Sequence, residues 1–192
     1  MSCVLRISCL NLTIPTRAVP NEHLRQPPTI NIQYFPEGSI KMERLKNVEL
    51  YTDGACRGNP GPGGWGAILV YGKHEKVMQG GERLTTNNRM ELMAAIEGLS
   101  ALKERCRVTV YSDSKYLVDA YTLGWVNNWR SHGWKKSDGA LKNSELWQKL
   151  FDLTDRHEVS FVWVKGHNGH DYNERCDSLA TEYADSFEIG EG

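Results

Sequence analysis

Residues 48–84 carry three strand-like segments in a row, separated only by glycine-bearing turns, before a helical period takes over. Val48, Leu50 and Thr52 alternate with Glu49 and Tyr51, and the pattern stops at Asp53-Gly54. A Gly/Pro-dense loop from Arg57 to Gly64 leads to a second segment, Trp65 to Tyr71, and the Gly72-Lys73-His74-Glu75 turn to a third, Val77 to Leu84. Strands joined by turns this short pair antiparallel, because a parallel return needs a crossover of a dozen residues or more. Such a crossover comes next. Apolar residues at Met90, Met93, Ile96 (or Ala95), Leu99 and Leu102 predict a helix over 88–103, followed by a strand at Val108 to Tyr111. Ser114 to Thr122 reads as a short helix, Trp125 to Trp134 as a tryptophan-rich segment, and Ser144 to Arg156 as a further helix. Val159 to Val164 alternates as a fifth strand, and a final helix is expected from about Asn173 to Ala184. This order predicts an α/β fold: a five-stranded mixed sheet flanked by helices.

The first 46 residues are different. Pro15, Pro20, Pro27, Pro28 and Pro36 break any period, so 1–46 is expected to be a disordered or loosely attached extension, and 47–192 the domain. Met42 stands just before the first convincing strand, so a start-site artefact is the favoured explanation for 1–41, ahead of a targeting role. The chain carries 23 Lys+Arg against 24 Asp+Glu, a balance that argues against a surface coated in cations for non-specific nucleic-acid binding. Basic residues outnumber acidic ones in the extension, and the reverse holds in the body. No apolar run approaches the roughly 18 residues of a membrane-spanning helix. Five cysteines with no C-x-x-C pair give no disulfide framework, and a reducing, cytoplasmic compartment is expected.

Four acids fall at element ends, where side chains can converge: Asp53, Glu91, Asp113 and Asp177. In open α/β sheets, sites gather outside the C-terminal ends of strands, and hard carboxylate oxygens suit Mg²⁺ or Mn²⁺. Each acid also has an ordinary explanation. Asp53 fits a turn, Glu91 a capping box with Asn88, Asp113 a cap for the helix at Ser114, and Asp177 a solvated helical position.

The blocks around these acids settle the choice. Tyr51-Thr-Asp-Gly-Ala-Cys-Arg-Gly-Asn-Pro-Gly-Pro-Gly-Gly-Trp-Gly66, Thr85-Thr-Asn-Asn-Arg-Met-Glu-Leu-Met-Ala-Ala95, Ser112-Asp-Ser-Lys-Tyr116, and Trp163-Val-Lys-Gly-His-Asn-Gly-His170 with Asn173-Glu-Arg-Cys-Asp177 resemble the bacterial type 1 ribonuclease H family. The resemblance runs from about Asn47 to Ala184, with every block in order. It implies a ribonuclease H-like fold and an endonuclease that hydrolyses the RNA strand of RNA–DNA hybrids by a two-metal-ion mechanism, leaving 5′-phosphate and 3′-hydroxyl ends. It also implies that Asp53, Glu91, Asp113 and Asp177 hold two Mg²⁺ ions, with Mn²⁺ as a substitute, and that His167 acts near the scissile phosphate.

For the substrate, the resemblance assigns Asn59, Asn87, Asn88 and the backbone near Cys56 to the RNA strand, Thr86 and Asn143 to a DNA phosphate, and Tyr116, Trp125 and Trp129 to the DNA channel. Residues 125–142 resemble the family's basic protrusion, with Arg130, Lys135, Lys136 and Lys142 against Asp138. Some of its tryptophans are expected simply to pack, Trp134 first among them. A monomer is expected. The rivals are a catalytically silent hybrid-binding module, against which the intact acidic quartet and His167 argue, and another nuclease of the same fold group, such as an integrase or a junction resolvase, which is not expected to carry the Asn-Pro-Gly-Pro-Gly-Gly and Thr-Thr-Asn-Asn-Arg-Met-Glu blocks.

Overall fold

The computed structural model describes residues 44–137, 139–166 and 168–187, together with the backbone of β1 (Ile32–Tyr34) and β2 (Ile40–Met42). The chain divides into two units between Glu43 and Arg44. In the first, β1 and β2 pair antiparallel, with Gln33 opposite Lys41; residues 1–31, 35–39 and 43 of the expected extension lie outside the described residues. Lys46, placed with the extension on sequence grounds, opens the first strand of the second unit.

That strand, β3 (Lys46–Cys56), is the middle of a five-stranded sheet. On one side it pairs antiparallel with β4 (Gly61–Tyr71), which pairs antiparallel with β5 (His74–Thr85). On the other it runs parallel to β6 (Cys106–Ser112), and β6 runs parallel to β9 (Glu158–Trp163). The order is therefore β5-β4-β3-β6-β9, the mixed sheet the turn lengths required. β6 alternates cleanly, with Cys106, Val108, Val110 and Ser112 buried and Arg107, Thr109 and Tyr111 half-buried. Its period of two puts one set of side chains on each face.

One face packs under α1 (Asn87–Ser100), α2 (Lys115–Thr122), α3 (Trp125–Ser131) and α4 (Ser144–Arg156). Leu50, Leu92, Ile96, Leu99, Val110, Leu117, Trp147 and Leu150 are fully buried there. Each such aliphatic side chain contributes about 1.5–3 kcal/mol through burial. The other face carries a smaller cluster, Tyr51, Ile68 and Cys176, beneath α5 (Asp171–Ser186).

Two elements differ from expectation. α1 ends at Ser100 and is buried on nearly every side, through Met90, Leu92, Ala94, Ala95, Ile96, Gly98 and Leu99. Met93 and Leu102, assigned to its apolar stripe, are only partly buried. The helix is sandwiched between the sheet and α4, so only a narrow polar edge through Arg89, Glu97 and Ser100 remains to mark a period. In the protrusion, β7 (Lys135–Lys136) pairs antiparallel with β8 (Gly139–Ala140), a hairpin too short for any periodicity to announce.

Candidate active site

Asp53 lies near the end of β3, directly opposite Gly66 of β4, and is only 8% exposed. Its Oδ1 accepts from the Gly54 amide at 2.7 Å. Gly54 is required by a close approach: a Cβ there would come within 2.5 Å of the Glu91 amide nitrogen. Bare backbone at this point lets the end of the central strand touch α1 and brings Asp53 and Glu91 to one place.

Both oxygens of Glu91 are held. The Asn87 amide donates to Oε1 at 2.9 Å and the Ser114 hydroxyl donates to Oε2. Ser114 is also the cap of α2, accepting from the Leu117 amide at 3.2 Å. The capping role expected of Asp113 therefore belongs to Ser114, and the Asp113 carboxylate remains for the site. α1 is capped by Thr86, not Asn88, and the Thr86 side chain makes no capping bond to any described residue. Asp113 follows the end of β6, its carbonyl accepts from the Trp163 indole at 3.0 Å, and its carboxylate lies against Gly166, where any Cβ would clash with it. Asp177 enters from α5 and is half-buried.

The electrostatics tie these groups together. Burial pushes the Asp53 carboxyl up to about 8; the Asp113 charge adds to this, the Gly54 amide opposes it, and Asp177 and Glu91 add smaller repulsions. Burial likewise pushes Glu91 up to about 7, with the Ser114 hydrogen bond opposing and Asp113 repelling. Crowded carboxylates of this kind favour bound protons or bound cations. Among the described residues no three acidic, histidine or cysteine side chains close a chelating cage by themselves. An open set of hard oxygens fits Mg²⁺, which keeps several waters and uses substrate oxygens to complete its shell.

A carboxyl whose folded value is raised makes the folded state bind more protons, so it costs stability as pH rises from its unfolded value towards the folded one. For Asp53 that window runs from about 4 to about 8. In chelator, the melting temperature of Asp53→Asn minus that of the wild type should be near zero at pH 4 and grow steadily to pH 8. A flat difference would contradict the assignment.

The other expected site residues are distributed around this cluster. Cys56 is half-buried, its thiol turned to the Gly61 and Thr85 carbonyls at 3.5 Å each, and Asn59 is exposed in the loop before β4, ahead of a cis bond to Pro60. Asn88 is exposed, whereas Asn87 is occupied by Glu91. Tyr116 accepts from the Trp147 indole at 3.0 Å, and Asn143 caps α4 with φ 56°. Trp125 is 41% exposed and Lys135 and Lys136 are exposed on β7. Trp129 is 7% exposed and stacks into the core beside Trp147, so it rather than Trp134 is the most deeply packed tryptophan of the protrusion. His167 and Asp138 lie outside the described residues. The sequence reading missed Ser114 as the hydroxyl that fixes Glu91; its signal is a serine serving at once as helix cap and as neighbour of an acid.

Comparison with known proteins gives a consistent family. The RNase H family model matches residues 45–185. Ribonuclease H of Rippkaea orientalis is 60% identical over 136 residues, covering 70% of this chain and 83% of that protein. Ribonuclease H of Erythrobacter litoralis is 58% identical over 142 residues, 73% of this chain and 98% of that one. Among solved structures, LC9-RNase H1, described as a type 1 RNase H with the type 2 active-site motif, superposes with a TM-score of 0.68 at 34% identity over 76% of this chain and 75% of that one. LC11-RNase H1 in complex with an RNA/DNA hybrid gives a TM-score of 0.54 at 26% identity, over 72% of this chain and 97% of that one.

Proposed function

The chain belongs to the RNase H family, and from that premise we propose that it is a metal-dependent endonuclease that hydrolyses the RNA strand of RNA–DNA hybrids, leaving 5′-phosphate and 3′-hydroxyl ends. The observation that supports this reading is the crowding around Asp53, whose carboxyl is pushed up to about 8 by burial and by the charges of Asp113, Asp177 and Glu91, beside a Glu91 pushed up to about 7 by burial and Asp113. Asp53, Glu91, Asp113 and Asp177 would hold two Mg²⁺ ions. Bound there, such ions supply Lewis acidity, activation of the attacking water and charge relief at the leaving oxygen.

The chain's own residues do the rest. Gly54 and Ser114 fix the spacing and orientation of the carboxylates. His167 transfers a proton near the scissile phosphate. Asn59 and Asn88 present exposed amides to the 2′-hydroxyls of the RNA strand, the one general handle that separates RNA from DNA. Asn87 contributes through Glu91 and its exposed edge. Thr86 and Asn143, each at a helix N-terminus, hold a phosphate of the DNA strand, and Tyr116 with Trp125 line its path. Trp129 supports that path from within. Lys135 and Lys136 neutralise further phosphates. No described helix is long and apolar enough to cross a membrane. One acidic cluster in one unit makes a monomer sufficient.

The test is a panel of labelled substrates with Mg²⁺: an RNA–DNA hybrid, double-stranded DNA and double-stranded RNA. The reading expects cleavage of the hybrid's RNA strand alone; cutting of duplex DNA would favour an integrase or resolvase, and binding without cutting a silent module. For the protrusion, replacing Lys135 and Lys136 together with Ala should make the dependence of log affinity on log salt shallower by about 1 to 2. An unchanged slope would remove both residues from the interface.

A further inference from the structure

α5 lies on the sheet more closely than side chains normally allow. Gly64 and Gly66 of β4 face it, and a Cβ at either would run into its backbone: at Gly66 into the Cys176 carbonyl and to 2.9 Å from the Leu179 Cβ, at Gly64 into the Ala180 carbonyl and to 2.9 Å from the Ala184 nitrogen. The helix answers with its smallest residues. Cys176, Ala180 and Ala184, spaced four apart, are all fully buried. At the same place the Cys176 thiol donates to the Tyr51 carbonyl at 3.3 Å, two residues before Asp53. Gly66 is the residue directly paired with Asp53 across the sheet. Asp177 is the residue next to Cys176.

We infer that Gly66 and Cys176 are positioning residues for the acidic cluster: the missing Cβ of Gly66 sets the height of α5 above β4, the Cys176 thiol sets its register on β3, and together they fix how far Asp177 stands from Asp53. The inference rests on the proposed role of the four acids. Close packing transmits a displacement of this kind directly, because two backbones in contact have no flexible side chain between them to absorb it. Asp177 belongs to the helix, whereas the other three acids belong to the sheet ends and α1, so lifting α5 moves one ligand against three fixed ones.

The test reads divalent-ion binding rather than turnover: Mn²⁺ titrated into the full-length protein, free Mn²⁺ followed by electron paramagnetic resonance. Gly66→Ala should weaken Mn²⁺ binding tenfold or more. Gly98→Ala is the control for general destabilisation, since its Cβ would meet Leu50 Cδ1 at 2.5 Å in the core under α1, away from α5; it should keep Mn²⁺ affinity within about 1.5-fold of the wild type. Adding Asp177→Glu to Gly66→Ala should restore most of the affinity, because the longer side chain spans the widened gap, while Asp177→Glu alone should weaken it. If Gly66→Ala does not fold, Cys176→Ala carries the test, with an expected loss of about threefold that Cys176→Ser recovers. Unchanged affinity in Gly66→Ala, or in Cys176→Ala where that variant stands in, overturns the positioning role, as does an equal loss in Gly98→Ala or no rescue by Asp177→Glu. Unchanged affinity in Asp53→Asn as well would overturn the site assignment beneath it.

Discussion

Asp53→Asn should fold, bind an RNA–DNA hybrid, and cleave it at least a thousandfold more slowly than the wild type in Mg²⁺. Asn keeps the volume and can still accept from the Gly54 amide, which now holds Asp53 Oδ1 at 2.7 Å, so the backbone at the end of β3 has no reason to move. What it loses is the charge at the centre of the cluster, where burial and Asp113 hold the carboxyl near 8. The buried carboxylate costs the folded wild type stability at pH 8 and the neutral Asn amide does not, so the metal-free variant should be more stable there, by several degrees. A variant both more stable and inactive is the signature of a functional site held against its own folding preference. Turnover within tenfold of the wild type, or a loss of stability at pH 8, would contradict this account.

The second large effect is on stability. Trp147→Ala should cost about 3–5 kcal/mol and lower the melting temperature by roughly 10 °C. Trp147 is fully buried and its ring meets Tyr116 at 5.2 Å, Trp129 at 5.2 Å and Tyr121 at 6.3 Å, so it joins α2, α3 and α4 under the protrusion. Its indole also donates to the Tyr116 hydroxyl at 3.0 Å. Trp147→Phe keeps one aromatic ring but leaves a smaller cavity and loses the hydrogen bond, so it should cost an intermediate amount, about 2 kcal/mol. Urea denaturation of the three proteins measures both costs. A cost below 1 kcal/mol for Trp147→Ala would mean that the helices carrying Tyr116 and Trp125 are held by something else.

The strands were legible where one face is less buried than the other, as the alternation of β6 illustrates, whereas β4, buried on both faces over Gly66–Leu69, was marked by the glycine-bearing turns beside it. α1 was harder to read, since a helix packed on nearly all sides keeps little of the polar stripe that periodicity detects. The four acids were legible as one set through the blocks that surround them, but not what seats Asp177 beside the sheet, because nothing local relates it to Asp53 and the close packing of α5 on Gly64 and Gly66 is made across the fold. The same limit explains Trp129 and Trp134. Both are tryptophans in a basic segment, and their difference in burial is decided by Trp147, which comes from a helix outside that segment. Ser114 escaped notice as the partner of Glu91 because its cap to Leu117 is local, whereas its bond to α1 depends on packing.

The central claim is that this acidic cluster performs metal-dependent hydrolysis of RNA paired with DNA. The most direct measurement strips the protein with chelator, restores Mg²⁺, and analyses the ends of the fragments from a hybrid labelled in its RNA strand. The account predicts no cleavage in chelator, full recovery with Mg²⁺, an intact DNA strand, and RNA fragments carrying 5′-phosphate and 3′-hydroxyl ends. Cleavage that persists in chelator, or fragments ending in 2′,3′-cyclic phosphate from attack by the RNA's own hydroxyl, would contradict it.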